Sequence, residues 1–199
     1  MERSVVGITG SFFSGKTTVA RMFAEKGAVL IDADRISSRI IHNDGSVRRY
    51  LKLLAGDSVI REGELDIPEL RRQVLRDDAK FDMLCSFTHP LIISRIKEEL
   101  DAVRNGAVII DAPLLIESGI HDMADQIIVV LADERLIYER ALSEGYRKWE
   151  IDAFLRRQMP AEEKIGYADI VIENNGSMNK LKQGVDRTWQ TLKKKKNWT

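Results

Sequence analysis

Residues 10–17, Gly-Ser-Phe-Phe-Ser-Gly-Lys-Thr, constrain this chain more than any other stretch. Gly10 and Gly15, followed at once by Lys16 and Thr17, fit the phosphate-loop pattern. Ser4 to Thr9 reads as a buried strand before it, and Thr18 to Lys26 reads as a helix after it. A strand, a glycine turn and a helix start gather several backbone N–H groups around one anion, with the helix dipole behind them. In such a loop the side chain of Lys16 reaches the β- and γ-phosphates, and the Thr17 hydroxyl can hold Mg²⁺. A nucleoside triphosphate, ATP or GTP, is the expected ligand, and what receives the phosphate is the open question.

Composition narrows the setting. The 199 residues suggest one α/β domain with insertions, and 44% hydrophobic residues suffice for a sizeable core. Lys plus Arg and Asp plus Glu balance at 31 each, so neither nucleic acid nor a membrane surface is indicated as the main partner. Cys85 is the only cysteine, which excludes an intrachain disulfide and a multi-cysteine zinc site. The opening residues hold no signal-peptide core, and no apolar run reaches the ~18 residues of a membrane span. A cytoplasmic location is expected.

Five short, apolar, β-branched runs read as parallel strands buried on both faces. They are 4–9, 28–32, 107–111, 126–131 and 169–173. Helical patterns lie between them, which gives a parallel sheet in a three-layer α/β fold. From about Arg35 to Arg104 the pattern is mostly helical and too long for an ordinary crossover, so a side subdomain is expected there. Within it, Asp66 and Glu69 can form a capping box with Pro68 in the first turn, and Pro90 to Val103 reads as a long helix. The Lys193-to-Lys196 run reads as a solvated, frayed helix end.

Residues 133–158 are helical, broken at Gly145, and rich in arginine: Arg135, Arg140, Arg147, Arg156 and Arg157. After the fourth strand such a hairpin is where a phosphotransferase places a lid whose arginines close over the transferring phosphate. A solvated helix face is the competing reading for any one of them. Asp32 and Asp34 lie at the end of the second strand and share one side of the chain while it stays extended. One of them can assist the metal or the loop while the other faces an acceptor, or one can simply cap the next helix. Asp111, at the end of the third strand, stands where a Walker B acid stands, able to bind Mg²⁺ through water or to hydrogen-bond the acceptor.

With these pieces in place, the chain resembles the bacterial dephospho-CoA kinases over nearly its whole length. The matching stretches are 7–10 with 14–20, Ile31-Asp32-Ala33-Asp34, Thr88-His89-Pro90-Leu91-Ile92, Asp111-Ala112-Pro113-Leu114-Leu115-Ile116-Glu117, and Ala168 to Gly176. The resemblance implies a P-loop NTPase fold with a five-stranded parallel sheet, a helical acceptor-binding insertion at about 35–104 and a helical lid at about 133–158. The core is then 1–34, 105–132 and 159–199. It further implies transfer from ATP, with Mg²⁺, to the ribose 3′-hydroxyl of dephospho-CoA. By resemblance Asp34 is the catalytic base, Lys16 and Arg140 are catalytic cations, and Arg147 and Arg157 are the alternatives for the lid contact. Gly10, Ser11, Phe12, Phe13, Ser14, Gly15, Lys16, Thr17 and Thr18 hold ATP, and the Asn174-Asn175-Gly176 turn lies near its adenine. Asp34, His89, Pro90, Asp111, Pro113 and Leu114 meet the acceptor, with His89 and Pro90 opening a helix of the insertion. Thr17 ligates Mg²⁺, with Asp32 or Asp111 acting through water. A monomer or weak homo-oligomer is expected.

One departure stands out. Ser11 and Phe13 replace two glycines usual in the family's loop, and Phe12 stands where a branched aliphatic residue is common. The adjacent phenylalanines can cover the loop, contact the acceptor or pack on the lid. Two other readings compete. Another small-molecule P-loop kinase would share the loop without the Asp34, His89-Pro90 and Asp111-to-Leu114 set. A GTPase switch would want an Asn-Lys-x-Asp turn, and Asn179-Lys180-Leu181-Lys182 lacks the aspartate.

Overall fold

The computed structural model describes residues 3–196. They form two compact units: one takes the chain up to Asp32 and from Glu99 onward, and the other is Ala33–Glu98. In chain order the strands are β1 (Arg3–Gly10), β2 (Val29–Asp32), β3 (Ile60–Arg61), β4 (Glu64–Leu65), β5 (Gly106–Asp111), β6 (Gln126–Leu131) and β7 (Ile170–Glu173). The helices are α1 (Lys16–Glu25), α2 (Ala33–Asn43), α3 (Gly45–Ala55), α4 (Ile67–Arg76), α5 (Asp78–Ala102), α6 (Glu134–Ser143), α7 (Lys148–Arg156), α8 (Ala161–Ile165) and α9 (Met178–Lys196).

The first unit is built on a five-stranded parallel sheet in the order β2-β5-β1-β6-β7, as the strand pattern leads one to expect. Its central strand β1 is buried at every position from Ser4 to Gly10, so helices must cover both faces. Val19, Ala20 and Phe23 of α1 and Leu181, Val185 and Leu192 of α9 pack with Val6, Ile8, Ile109, Ile128 and Val130 of the sheet. Complete burial of a side chain such as Phe23 contributes about 1.5–3 kcal/mol. From β1 the chain crosses to β2 on one side, skipping the place that β5 later fills, and it then lays β6 on the other side of β1. The carboxyl end of β1 is therefore a topological switch point, where open α/β sheets bind ligands.

The second unit packs α3, α4 and part of α5 around Val47, Leu51, Ala55, Val59, Leu70 and Val74, with Phe81, Leu84 and Phe87 against them. Tyr50 stacks on Phe87 with ring centroids 3.9 Å apart. Asp44 caps α3 by accepting from the Ser46 and Val47 amides, and Asp66 caps α4 by accepting from the Glu69 amide at 3.0 Å. Pro68 stands in the first turn of α4. The second half of the expected box is spent elsewhere, because the Glu69 carboxylate takes Arg72 and Gln73. Hydrogen bonds from those two side chains hold that carboxyl down to about 2.

Two features of this unit correct the sequence expectation. A two-residue hairpin, β3 with β4, interrupts the helices, turning through Glu62 and Gly63 at φ 55° and 83°. Both angles lie in the left-handed region, as a tight hairpin turn requires, but a Glu-Gly pair is a weaker turn signal than Asn-Gly or Asp-Gly. The second correction concerns Pro90, which opens no helix. It lies inside the 25-residue α5, whose apolar positions on either side of it, Leu84 and Phe87 before and Ile92 and Ile96 after, pack or are buried. That burial outweighs the roughly 3 kcal/mol an interior proline costs by removing an N–H and crowding the preceding turn. The lysine run at the carboxyl end remains helical to Lys196, and the residues after it lie outside those described.

Pro90→Ala restores the missing amide. Urea denaturation is expected to show a gain of about 1 kcal/mol or more. An unchanged or lower unfolding free energy would mean that the packing of α5 depends on the proline's geometry.

Candidate active site

The phosphate loop follows β1 directly, and both its glycines are forced by close approach. A Cβ on Gly10 would stand 2.3 Å from the Val130 carbonyl oxygen of β6, and one on Gly15 would stand 2.2 Å from Asn174 Nδ2. Gly15 also has φ 93° and precedes α1 without any side-chain cap. The first-turn amides of α1 are thus left for an anion, the arrangement that binds phosphate at helix N-termini. Lys16 begins that helix with its side chain largely buried.

Phe13 occupies the left-handed region at φ 54°. Glycine adopts this conformation freely, while a residue with a Cβ is held there at roughly 1–2 kcal/mol. What holds Phe13 is an aromatic cluster linking the loop to the turn between α6 and α7 and to α7 itself. Phe12 stacks on Phe154 at 4.4 Å and meets Phe13 and Tyr146 edge-on at 4.6 and 5.2 Å. Phe13 also meets Tyr146 at 5.4 Å. The Phe12 amide donates to Gln158 Oε1 at 2.8 Å. Of the three placements the sequence leaves open for these phenylalanines, the structure takes packing against the α6–α7 region.

Arg140 of α6 reaches the same loop. Its guanidinium donates to the Asn174 carbonyl at 2.7 Å and, more weakly, to the Phe13 and Ser14 carbonyls at 3.3 and 3.4 Å. Asn174 Nδ2 donates to the Ser14 carbonyl at 2.8 Å, so the turn after β7 grips the loop's backbone. Asn175 exchanges two hydrogen bonds of 2.7 Å with Asp133 just before α6, and Gly176 follows it in the turn. Arg147 is exposed at the start of α7, where its amide donates to Glu150. Arg157 donates to the Ala153 carbonyl of its own helix. Arg140 thus has hydrogen bonds to the loop and to the turn after β7.

Asp111 is buried at the carboxyl end of β5 and is the register partner of Asp32 on β2 and of Ile8 on β1. Neighbouring parallel strands run about 4.8 Å apart, so two carboxylates stand side by side on the sheet's ligand-binding edge. With the Thr17 hydroxyl these are hard oxygen donors, which suits Mg²⁺ held partly through water. No group of three or more His, Cys, Asp or Glu that could hold a metal occurs among the described residues.

Lys164, on α8, is fully buried. Its ammonium donates to the Pro113 carbonyl at 2.8 Å and to Thr9 Oγ1 at 3.4 Å, and pairs with Glu117 Oε1 at 3.0 Å. Burial pushes its pKa below the ordinary lysine value; the charge of Lys16 adds to this and Glu117 opposes it. Thr9 Oγ1 itself donates to the Pro113 carbonyl, and Glu117 Oε1 also accepts from the Met159 amide. Leu114 is half-buried, and its carbonyl accepts from the Ser118 hydroxyl. Lys164, Gln158, Tyr146 and Phe154 are the residues that sequence reasoning missed. A lysine or glutamine among other polar residues carries no sign of burial, and Tyr146 and Phe154 read as ordinary lid positions.

Asp34, His89 and Pro90 belong to the second unit. Asp34 is exposed in the first turn of α2, His89 is half-buried and Pro90 exposed on α5. Because β2 stops at Asp32 and α2 starts at Ala33, strand alternation does not relate Asp32 to Asp34, and the shared side expected of an extended chain is not formed.

A family model for dephospho-CoA kinase matches residues 4–180. The chain belongs to the dephospho-CoA kinase family. A dephospho-CoA kinase from Syntrophus aciditrophicus is 35% identical over 196 residues, covering 96% of this chain and 83% of that protein. One from Fusobacterium nucleatum is 31% identical over 193 residues, 96% of this chain and all of that protein. Among solved structures, a Thermus thermophilus protein superposes with a TM-score of 0.78 at 30% identity, over 96% of this chain and 99% of that one. The family match spans the phosphate loop, the Asp111-to-Glu117 segment and the Asn174 turn. No described helix is long and apolar enough to cross a membrane.

The aromatic cluster yields a prediction. A double-mutant cycle of Phe12→Leu and Phe154→Leu, read by thermal or urea unfolding, is expected to give a coupling of about 0.5–1.5 kcal/mol. Strict additivity would mean that the stack contributes no specific energy to the loop.

Proposed function

We propose that this chain transfers the γ-phosphoryl group of ATP to the ribose 3′-hydroxyl of dephospho-CoA, giving coenzyme A and ADP. The observation that carries the reading is the family match over residues 4–180, together with the loop, Arg140 and Asp111 lying on one switch-point edge. Another small-molecule P-loop kinase would not account for that match.

In the reaction the bond between the γ-phosphorus and its bridging oxygen breaks, a bond to the 3′-oxygen forms, and the hydroxyl proton leaves. Phosphoryl transfer needs alignment and charge neutralisation more than covalent help. Residues 10–18 cradle the phosphates by their amides, and Lys16 draws charge from the β- and γ-oxygens. Mg²⁺, when bound at Thr17 with Asp32 or Asp111, supplies further neutralisation of the phosphate oxygens. Arg140 stabilises the charge that builds on the transferring group. For this it must exchange its carbonyl partners on the loop and the Asn174 turn for phosphate oxygens, which its three bonds of 2.7–3.4 Å to neutral acceptors permit. Asn174 to Gly176 form the wall of the adenine site. By family resemblance, His89 and Pro90 of the second unit are acceptor contacts, and so are Asp111, Pro113 and Leu114 of the first. The α6–α7 pair acts as the lid.

Asp34 takes the acceptor's proton. Its support is position along the chain: two residues beyond Asp32, it lies within about 7 Å of the end of β2 by backbone length alone. Asp34 is exposed in the first turn of α2.

A coupled assay of ADP release is expected to show turnover with dephospho-CoA and none above background with a panel of nucleosides; the reverse would sink the reading. Asp34→Asn is expected to retain ATP affinity while kcat falls about 10²–10⁴-fold, with Asp32→Asn milder in single-turnover transfer. Near-normal transfer by Asp34→Asn would remove it as the base. Arg140→Ala is expected to lower kcat far more than it raises the KM for dephospho-CoA. A change in KM alone would make Arg140 a ground-state contact.

A further inference from the structure

Lys164 is the deepest charged group of the described residues, with no exposed surface, and the reaction as set out above does not use it. Its three N–H bonds have partners on two pieces of the active-site edge, the end of β1 and the segment after β5. Thr9 is the last residue before Gly10 and the phosphate loop. Pro113 is in the segment that runs on from Asp111. Glu117 closes that segment and also binds the Met159 amide, next to the Gln158 that holds Phe12. The Pro113 carbonyl receives both the ammonium and the Thr9 hydroxyl, so its direction is set by two donors from different elements.

Burying an ammonium costs stability unless its partners return the lost hydration. Here a single carboxylate, itself 20% exposed, and two neutral oxygens do so. The lowered pKa states the same imbalance: the folded protein binds this proton less tightly than the unfolded chain does, so the charge at neutral pH opposes folding. A core formed for stability alone would place an apolar side chain at position 164.

We propose that Lys164 is a positioning residue for the acceptor: its ammonium fixes the Pro113 carbonyl against Thr9 and so sets the Asp111-to-Leu114 segment in its working register beside the phosphate loop. This rests on the reading of the chain as a dephospho-CoA kinase. The loop itself is held by Asn174, Arg140 and the aromatic cluster, so ATP binding does not depend on Lys164. Acceptor handling does.

The test is Lys164→Met beside Glu117→Gln, with steady-state kinetics, ATP calorimetry and thermal melts. Lys164→Met is expected to melt at or above the wild-type temperature and to bind ATP within about threefold of wild type. Its kcat/KM for dephospho-CoA should fall at least about tenfold, since small misplacements of substrate-positioning groups carry losses up to about 10²-fold. Glu117→Gln keeps the Pro113 contact and an acceptor for Met159 but removes the ammonium's counter-charge, so it should melt below wild type while its ATP affinity and its kcat/KM for dephospho-CoA stay within about threefold. Equal losses in ATP affinity and acceptor kcat/KM would reduce Lys164 to a general structural role and overturn the inference, as would no kinetic change. Should Lys164→Met fail to fold, the wild-type protein still decides. NMR of ¹⁵N-labelled lysine should show a slowly exchanging Lys164 Nζ signal, assigned with Lys164→Arg, that shifts on adding dephospho-CoA and holds on adding ATP analogue alone. A rapidly exchanging or unresponsive signal overturns the inference. A wild-type enzyme that fails to phosphorylate dephospho-CoA overturns the functional reading, and this one with it, whereas an active wild type beside an unaffected variant overturns this one alone.

Discussion

The close approach of the phosphate loop to its surroundings is the constraint on which the rest of the site depends. At Gly10 the backbone runs against the Val130 carbonyl, and at Gly15 it runs against the Asn174 amide, with no room for a Cβ at either place. A loop pressed this close to β6 and to the turn after β7 can be gripped through its carbonyls. Asn174 and Arg140 both do so, taking up oxygens of the outer turn while the amides of the α1 start remain for phosphate. The parallel sheet makes this possible, because strands running the same way bring the carboxyl ends of β1, β5 and β6 to one edge.

The substitutions that make this loop unusual follow the same logic. Phe13 sits in a conformation suited to glycine, and its backbone strain is offset by ring contacts with Phe12 and Tyr146. A loop richer in glycine would owe its shape to backbone freedom, whereas here the shape is held by packing against the α6–α7 region. Flexibility at the loop is exchanged for a mechanical link between it and the helices that carry Arg140.

Lys164, paired with Glu117, ties the end of β1 to the segment after β5. Buried charge is costly, and its presence at an active-site edge reflects geometry that an apolar core would leave loose. The loop is thus held by aromatic rings and carbonyl contacts, and the segment after β5 by one buried cation.

Much of this was legible in the chain itself. Five short, apolar, β-branched runs with helical patterns between them read as a parallel sheet, and the loop followed from Gly10, Gly15, Lys16 and Thr17. Local chemistry also announced the caps at Asp66 and the terminal placement of Asp32 and Asp111. What the tertiary structure decided were matters of competition between distant groups. Pro90 inside a helix, against its own propensity, reflects burial on both sides of it. The left-handed Phe13, the stack of Phe12 on Phe154 and the bonds from Arg140 to the loop depend on which side chains meet across more than a hundred residues of sequence. The burial of Lys164 is the clearest case. A lysine's letter predicts solvent, and only the convergence of Thr9, Pro113 and Glu117 supplies three acceptors in place of water.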